Sequence, residues 1–368
     1  MKQFLSNVFL FSIPLFVLFG GYEYLMYELK ESVMVKTVFK SQESDKSLFL
    51  RKYLSQSFKT YKTYGIKQSN AETLIIGSSR VMQIKGSYFK GKFYNAGGLI
   101  QNNNDLIEFL DSEVTSDLIF IGIDSWWYKE NYMKYSNSDN LSEIHTLLKL
   151  RYNPVSRIDE IWTDYLEPRN TKHIGVNAQI SNGGFRFDGS MKISDKRIRI
   201  LLKEGKFVDT EDPPINERIK KSSTLKFENS PIDTTAFIES VALIRKAIDN
   251  GKRIIVYLPP FTDESFDLFG KIKSQSDFFR FTTIYMPRIL ERFGIPYIKT
   301  ESPRDYDIND AYFMDGFHPS EVFLAIQLKK YNRFFGEKID TIIIDSIIRN
   351  RFCEILLDGR EFKVDSNP

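Results

Sequence analysis

The chain has 368 residues, enough for one large domain or two modest ones with a buried core. Its 51 basic and 48 acidic residues give a net charge of +3, and this near balance offers no clustered basic face for nucleic acid. Cys353 is the only cysteine, which excludes an intrachain disulfide and a cysteine-based zinc site.

The N-terminus contains an uncharged, mostly apolar stretch at residues 4–22. As a helix rising 1.5 Å per residue, this stretch spans about 29 Å, close to the thickness of the bilayer core. It predicts an uncleaved single-pass anchor; a cleaved signal peptide and a buried soluble helix are the alternatives. Lys2 precedes the stretch and three lysines follow it closely, so the flanking charges do not fix its orientation.

The segments that follow alternate between short buried strands and helices. Continuous apolar runs predict strands at 73–77, 92–98, 117–124, 253–261 and 296–300. Capping residues and helical spacing predict helices at 78–86, 102–113, 236–252 and 321–335. This alternation predicts an α/β fold with a parallel sheet between helices on both faces, a three-layer doubly wound arrangement.

The alternation is interrupted from about residue 136 to 235, which we interpret as an insertion. Within it, residues 185–193 alternate in polarity around Asp188-Gly189 and predict a hairpin. The expected organisation is, in chain order, an anchor at residues 1–29, a polar juxtamembrane linker at 30–70, the α/β domain with its insertion at 71–337 and a C-terminal extension at 338–368.

Two short segments carry the residue types of a serine-based catalytic site. Ser78 and Ser79 follow the strand at 73–77, and a serine there lies in the usual ligand crevice of a parallel sheet. A turn-rich acidic segment near the C-terminus holds His318, one of only three histidines, with Asp315 three positions before it. These residues predict a Ser–His–Asp triad. A helix cap and a plain surface turn are the alternatives.

These segments resemble the four sequence blocks of the SGNH, or GDSL-like, hydrolase family. Gly77-Ser78-Ser79 stands at the position of the first block, and Asp315-Gly316-Phe317-His318 matches the last block fully. Asn95-Ala96-Gly97 and Gly122-Ile123-Asp124 are similar to the second and third blocks. The resemblance covers both α/β parts of the chain but neither the insertion nor the tail, and it implies an SGNH, flavodoxin-like fold.

The resemblance also implies an activity. Ser79 would attack an acyl carbonyl, His318 would take its proton, and Asp315 would orient the imidazole. Membrane-anchored members of the family, the alginate O-acetylation and teichoic-acid D-alanylation proteins, have a similar plan. They pass an acyl group from a multi-span membrane partner to a sugar hydroxyl. The chain is therefore expected to be an extracytoplasmic (periplasmic) acyltransferase that acetylates an envelope or secreted polysaccharide.

The oxyanion site implied by the resemblance departs from the family pattern. The backbone N–H of Ser79 and one near Gly97–Ile100 are the expected donors. The family adds an asparagine side chain from the third block, but Asp124 stands there and cannot donate when ionised. Asn95 or Arg80 is the expected replacement donor, unless Asp124 has a different role.

Several alternatives stay open at this stage. The same triad with water as acceptor would be an esterase, and loss of the oxyanion donor would leave an inactive polysaccharide-binding or assembly subunit. Trp126 and Trp127 after the third block are expected either to stack on sugar rings or to pack in the core. No metal or organic cofactor is implied.

Overall fold

The structure is a computed structural model that describes residues 1–54, 57–112, 115–132, 156–194, 214–222 and 226–350. The chain divides into two compact units. The first unit combines Met1–Tyr61 with Asn140–Phe187, and the second combines Lys62–Asp139 with Asp188–Pro368. The segment expected to be an insertion is therefore shared between the two units.

The first unit contains a long N-terminal helix, Lys2–Glu28. Its part Asn7–Glu28 is long and apolar enough to cross a membrane, a criterion that signal sequences and buried core helices also meet. The end of the helix is buried in the unit, where Tyr22, Leu25, Met26 and Leu29 pack against Tyr53, Ile161 and Val176. The earlier part exposes mostly apolar side chains.

The polar stretch after this helix contributes to the folded units. The helix Val35–Asp45 buries Val38, Phe39 and Gln42, and the helix Ser57–Ser69 follows it. The first unit is completed by the helices Ile158–Leu166 and Val176–Ser181 and by the short strand Gly184–Phe185. The short strand Met191–Lys192 belongs to the second unit and lies on the other side of Asp188-Gly189.

A five-stranded parallel sheet forms the centre of the second unit. Its strands are β1 (Thr73–Gly77), β2 (Phe93–Gly97), β3 (Leu118–Gly122), β4 (Arg253–Tyr257) and β5 (Tyr297–Ile298), in the spatial order β2-β1-β3-β4-β5. β1 and β3 are buried along their whole length, which explains why their sequences are continuous apolar runs rather than alternating ones. The predicted parallel α/β fold is confirmed.

The sheet is accompanied by helices at most of the predicted places. Within the described residues of the second unit, these helices are Asn103–Leu110, Ile215–Lys221, Thr234–Asp249, Asp263–Lys271, Ser276–Arg280, Met286–Arg292, Glu321–Lys330 and Thr341–Asn350, with a π-helix at Phe281–Tyr285. The helix predicted at 78–86 is replaced by two short 3-10 turns, Ser79–Val81 and Gly86–Tyr88. Apolar side chains of the helices Glu321–Lys330 and Thr341–Asn350 pack in one cluster with those of β1, β3 and β4. Residues 351–368 of the predicted C-terminal extension lie outside the described residues.

The strand order places a topological switch point between β1 and β3. β1 pairs with β2 on one side and with β3 on the other, so the chain leaves their carboxyl ends in diverging directions. Gly77, the last residue of β1, has φ of +142°, and a Cβ there would lie 2.6 Å from the carbonyl oxygen of Gly122. Only glycine fits at this approach of two strand ends, immediately before Ser78 and Ser79.

Candidate active site

The turn after β1 presents Ser79 at the carboxyl edge of the sheet. Ser78 takes the N-cap position of the 3-10 turn Ser79–Val81, and its hydroxyl oxygen accepts the backbone N–H of Arg80 at 3.2 Å. The Ser78 hydroxyl therefore caps the turn. The hydroxyl of the next residue, Ser79, is part-buried and lies 2.8 Å from Nε2 of His318, although 239 positions separate the two residues.

The loop that carries His318 is closed by the carboxylate of Asp315. One oxygen, Oδ1, accepts the backbone N–H groups of Phe317 at 3.1 Å and of His318 at 2.8 Å. The backbone N–H of Met314 also donates to the His318 carbonyl at 2.9 Å. The three-residue spacing between aspartate and histidine thus has a local reason, because it lets the carboxylate reach the amide of the base itself.

The other oxygen of the same carboxylate holds the imidazole ring. Asp315 Oδ2 lies 2.6 Å from His318 Nδ1, which we assign as the protonated nitrogen because its partner is an acceptor. Nε2 is then the acceptor that faces the Ser79 hydroxyl. Ser79, His318 and Asp315 therefore lie in one chain of hydrogen bonds, and the predicted proximity of Ser79 and His318 is confirmed.

Burial and charge act in opposite directions on the Asp315 carboxyl. Burial raises its pKa, but the neighbouring imidazole and the two backbone N–H groups lower it more, and the resulting pKa is about 2. The carboxylate is therefore ionised at neutral pH. An ionised partner at Nδ1 can stabilise the positive charge that a general base acquires during acyl transfer.

Arg80 and Asp124 do not line the site as oxyanion donors, which corrects the expectation from sequence. Their side chains are buried and paired with each other, with 3.1 Å between Nη1 and Oδ1. Arg80 Nε also donates to the Phe317 carbonyl at 3.0 Å, and Nη2 donates to the Pro260 carbonyl. The guanidinium thus connects the Ser79 turn to the residue before His318.

The side chain of Asn95 likewise makes its hydrogen bonds within the protein. Its amide nitrogen donates to the carbonyls of Val81 and Ile84, both at 2.8 Å, and its oxygen accepts the backbone N–H of Gly97 at 2.7 Å. Asn95 therefore fixes the segment that follows Ser79, and the predicted donation to an oxyanion is not supported. These hydrogen bonds explain why an asparagine suits position 95, and the sequence alone did not predict them.

The amides expected to supply a second oxyanion donor are also engaged. The N–H of Gly97 donates to Asn95, that of Gly98 to the Gly77 and Ser78 carbonyls, that of Leu99 to Ala96, and that of Ile100 to Gly77. Within the described residues, the N–H of Ser79 itself has no recorded acceptor. Among the predicted donors in the described residues, the Ser79 N–H is therefore the one that has no acceptor within the protein.

The aromatic residues after β3 are buried beside the His318 loop and do not form a surface on which a sugar could stack. Trp126 and Trp127 are buried, so neither ring offers a face to a ligand, which corrects the substrate-binding expectation for Trp126. Trp126 packs edge-on against Phe317 at 5.9 Å between ring centroids. Phe317 in turn lies 4.3 Å from the His318 ring, so the aromatic contacts support the position of the base.

The buried contacts of the Arg80 side chain were not predicted from the sequence, although two features of the sequence pointed to its pairing with Asp124. Arg80 follows Ser79 directly, and Asp124 stands just beyond the end of the neighbouring strand β3. Opposite charges at adjacent strand ends in a buried sheet are expected to pair, because each alone would be costly to bury. The contacts to the Phe317 and Pro260 carbonyls had no sequence signal.

Comparison with known proteins adds no further constraint. No protein-family model matches the chain, and no curated protein or solved structure is significantly similar to it. The relation to the SGNH family therefore remains a prediction that rests on the sequence blocks and on the site itself.

Proposed function

We propose that the chain is a single-pass membrane protein whose second unit is an SGNH-like, three-layer acyl-transfer domain on the extracytoplasmic side. One observation carries the proposal. Ser79, His318 and Asp315 come from opposite ends of the sequence and lie in a continuous hydrogen-bonded array, with distances of 2.8 and 2.6 Å. Such an array, at the switch point of a parallel sheet, is the arrangement that activates a serine hydroxyl.

The proposed reaction has two half-steps. Ser79 Oγ attacks an acyl carbonyl while His318 Nε2 takes the hydroxyl proton, and Asp315 stabilises the resulting imidazolium. Collapse of the tetrahedral intermediate expels the leaving group with that proton and leaves Ser79 acylated. His318 then removes the proton of an acceptor hydroxyl, the acceptor oxygen attacks the acyl carbon, and Ser79 is released with its proton restored.

The proposed acceptor is a hydroxyl of a cell-envelope or secreted polysaccharide, and the proposed acyl group is acetyl. Two features support this choice: the apolar N-terminal helix and the resemblance to anchored members of the SGNH family. By that resemblance, a multi-span membrane protein would supply the acyl group. The proposed membrane location follows from the same helix.

The triad is tested by labelling the full-length chain in detergent with a fluorophosphonate probe. Ser79→Ala and His318→Ala should each abolish labelling, because a serine hydroxyl is a weak nucleophile without its base. Asp315→Asn should weaken it less completely. Ser78→Ala is the matched control: it removes a hydroxyl one residue away that caps the turn, and labelling should persist. Labelling that survives in Ser79→Ala would remove the proposal.

Transfer and hydrolysis are separated by the fate of the acyl group. The chain is loaded with an activated, isotope-labelled acetyl ester and then mixed with an oligosaccharide. Label recovered on the sugar supports transfer, whereas label recovered only as acetate supports an esterase. A wild-type chain that never labels, under conditions where a known serine esterase does, would favour a polysaccharide-binding subunit, in agreement with the engaged amides after β2.

A further inference from the structure

Four large side chains of the first unit are exposed beside the N-terminal helix. Tyr24 and Tyr27 lie on that helix, and Trp162 and Leu166 lie on the helix Ile158–Leu166, with exposures between 53% and 72%. We call these four residues the aromatic patch. Its two halves are adjacent, because Trp162 stacks on Tyr165 at 5.7 Å and Tyr165 packs against the apolar cluster that contains Leu25 and Met26 of the N-terminal helix.

The exposure of the patch is not a consequence of loose packing. The same two helices bury their facing sides against each other, where Leu25 and Met26 meet Ile161 in one apolar cluster. Both helices are therefore fixed, and each still presents large apolar or aromatic side chains outward. Soluble proteins rarely leave such side chains exposed together, and where they do, the surface marks a contact with a membrane, another protein or a ligand.

The position of the patch along the N-terminal helix indicates that its contact is with the membrane. The exposed apolar run ends near Gly21, and Tyr22 is the first residue buried in the unit. At 1.5 Å per residue, Tyr24 and Tyr27 lie about 5 and 9 Å beyond Gly21. The polar interfacial layer of each leaflet is about 5–8 Å thick, so both tyrosines fall at or near its level if the run crosses the membrane.

The junction between helix and unit is tied by Glu31. This buried carboxylate accepts four backbone N–H groups, from Lys52, Tyr53 and Leu54 at 3.1 Å each and from Val176 at 2.8 Å. Glu31 lies three residues after the N-terminal helix ends. The segment after the helix is therefore held by the unit close to the patch, and the shared apolar cluster of Leu25, Met26 and Ile161 holds the two helices together.

We infer that the aromatic patch is a membrane-interface surface, in which the helix Ile158–Leu166 lies on the bilayer with Trp162 and Leu166 inserted among the headgroups and upper acyl chains. Tryptophan and tyrosine prefer this layer because one end of each ring system is apolar and the other can hydrogen-bond. The first unit then sits directly on the bilayer. The inference rests on the proposed membrane crossing of the N-terminal helix.

Intrinsic fluorescence provides a test, because Trp162 is the one exposed tryptophan among three; Trp126 and Trp127 are buried in the second unit. The full-length chain is reconstituted into phosphatidylcholine vesicles that carry bromine at a shallow or a deep acyl position. The difference between wild type and Trp162→Phe isolates the emission of Trp162. This component should be strongly quenched by shallow bromine, less by deep bromine, and only weakly by aqueous iodide.

The control is Phe187→Trp in the Trp162→Phe background. Phe187 is exposed in the same unit but packs on Phe39 and does not belong to the cluster that includes the N-terminal helix, so its emission should be quenched by iodide and not by bromine. Iodide quenching of Trp162 without bromine quenching would overturn the inference. Flotation of the vesicles tests the membrane crossing separately: a chain that does not float loses both the crossing and the interface surface.

Discussion

Arg80 and Asp124 form an ion pair just beyond the ends of β1 and β3, with side-chain exposures of 1% and 0%. Since solvent is excluded, neither charge has water to replace a lost partner. The guanidinium also reaches the carbonyls of Phe317 and Pro260, so the pair joins three segments that must meet for Ser79 to face His318. We therefore expect the pair to position Ser79 and His318, so that its removal lowers stability and disturbs their contact.

Asp124→Asn tests this role, because it removes the charge that balances Arg80 while keeping the shape of the side chain. We expect the free energy of unfolding to fall by about 3–5 kcal/mol, the cost of leaving a buried charge uncompensated. Fluorophosphonate labelling of Ser79 should slow as the His318 loop loses its support. Chemical denaturation of the full-length chain in detergent measures the first effect, and labelling kinetics measure the second.

Asp249→Asn is the matched control, because Asp249 pairs with Arg245 on an exposed helix surface. Its cost should be much smaller than that of Asp124→Asn, since solvent screens that pair. A faster labelling rate in Asp124→Asn would contradict the positioning role. It would instead indicate that position 124 contacts the oxyanion after all.

The pH dependence of stability should report the low pKa of Asp315. The folded pKa of about 2 lies below the unfolded value of about 3.9, so ionisation stabilises the folded chain at neutral pH. This contribution, about 2 kcal/mol, is fully present above about pH 5 and is lost as the pH falls from about 4 through about 2.

Comparison of wild type with Asp315→Asn isolates this contribution. The difference between their free energies of unfolding should be constant from about pH 7 to 5 and should shrink only below about pH 4. Denaturation curves recorded at several pH values provide the measurement. A difference that already shrinks between about pH 7 and 5 would mean that the carboxyl titrates well above its ordinary value.

Gly77→Ala should destabilise the protein more than an ordinary glycine substitution. Position 77 combines a φ of +142° with a Cβ position 2.6 Å from the Gly122 carbonyl oxygen. Gly251→Ala is the control: its φ is +89°, and a Cβ there meets nothing within 4 Å. We expect a loss of about 1 kcal/mol at position 251 from backbone conformation alone, and a clearly larger loss at position 77. Equal losses, measured by denaturation, would show that the strand ends can separate without cost.

The orientation of the chain can be tested with a reporter fused after Pro368. Alkaline phosphatase, which is active only outside the cytoplasm, should be active at this position. A cytoplasm-specific reporter at the same position should be inactive. The reverse pattern would place the second unit in the cytoplasm and would end the polysaccharide proposal, while leaving the triad geometry intact.

The sheet and the triad could be predicted because both depend on short, local patterns. Continuous apolar runs at 73–77 and 118–122, ended by glycine, are typical of strands buried on both faces. Asp315 and His318 stand close together in sequence, and Ser79 follows a strand end, where the topology of a parallel sheet brings separated residues to one edge.

The oxyanion residues could not be predicted in the same way. Asn95, Arg80 and Asp124 have side chains that can either face a ligand or satisfy buried backbone groups, and sequence position does not distinguish the two. In the structure, Arg80 and Asn95 donate to buried backbone carbonyls, those of Phe317, Val81 and Ile84, which would be costly to leave without a donor. For the same reason, the polar residues after the N-terminal helix suggested a linker, whereas Glu31 and Gln42 are buried hydrogen-bonding partners.

The two oxygens of Asp315 have a consequence for how such a site can decay. Oδ1 closes the loop through the amides of Phe317 and His318, while Oδ2 holds the imidazole. A lineage that no longer needs chemistry can replace Ser79 at little structural cost, because only a hydroxyl is lost. It cannot replace Asp315 as freely, since the loop itself would open. Among descendants of this chain, an intact aspartate is therefore poor evidence of activity, and the residue at position 79 is the informative one.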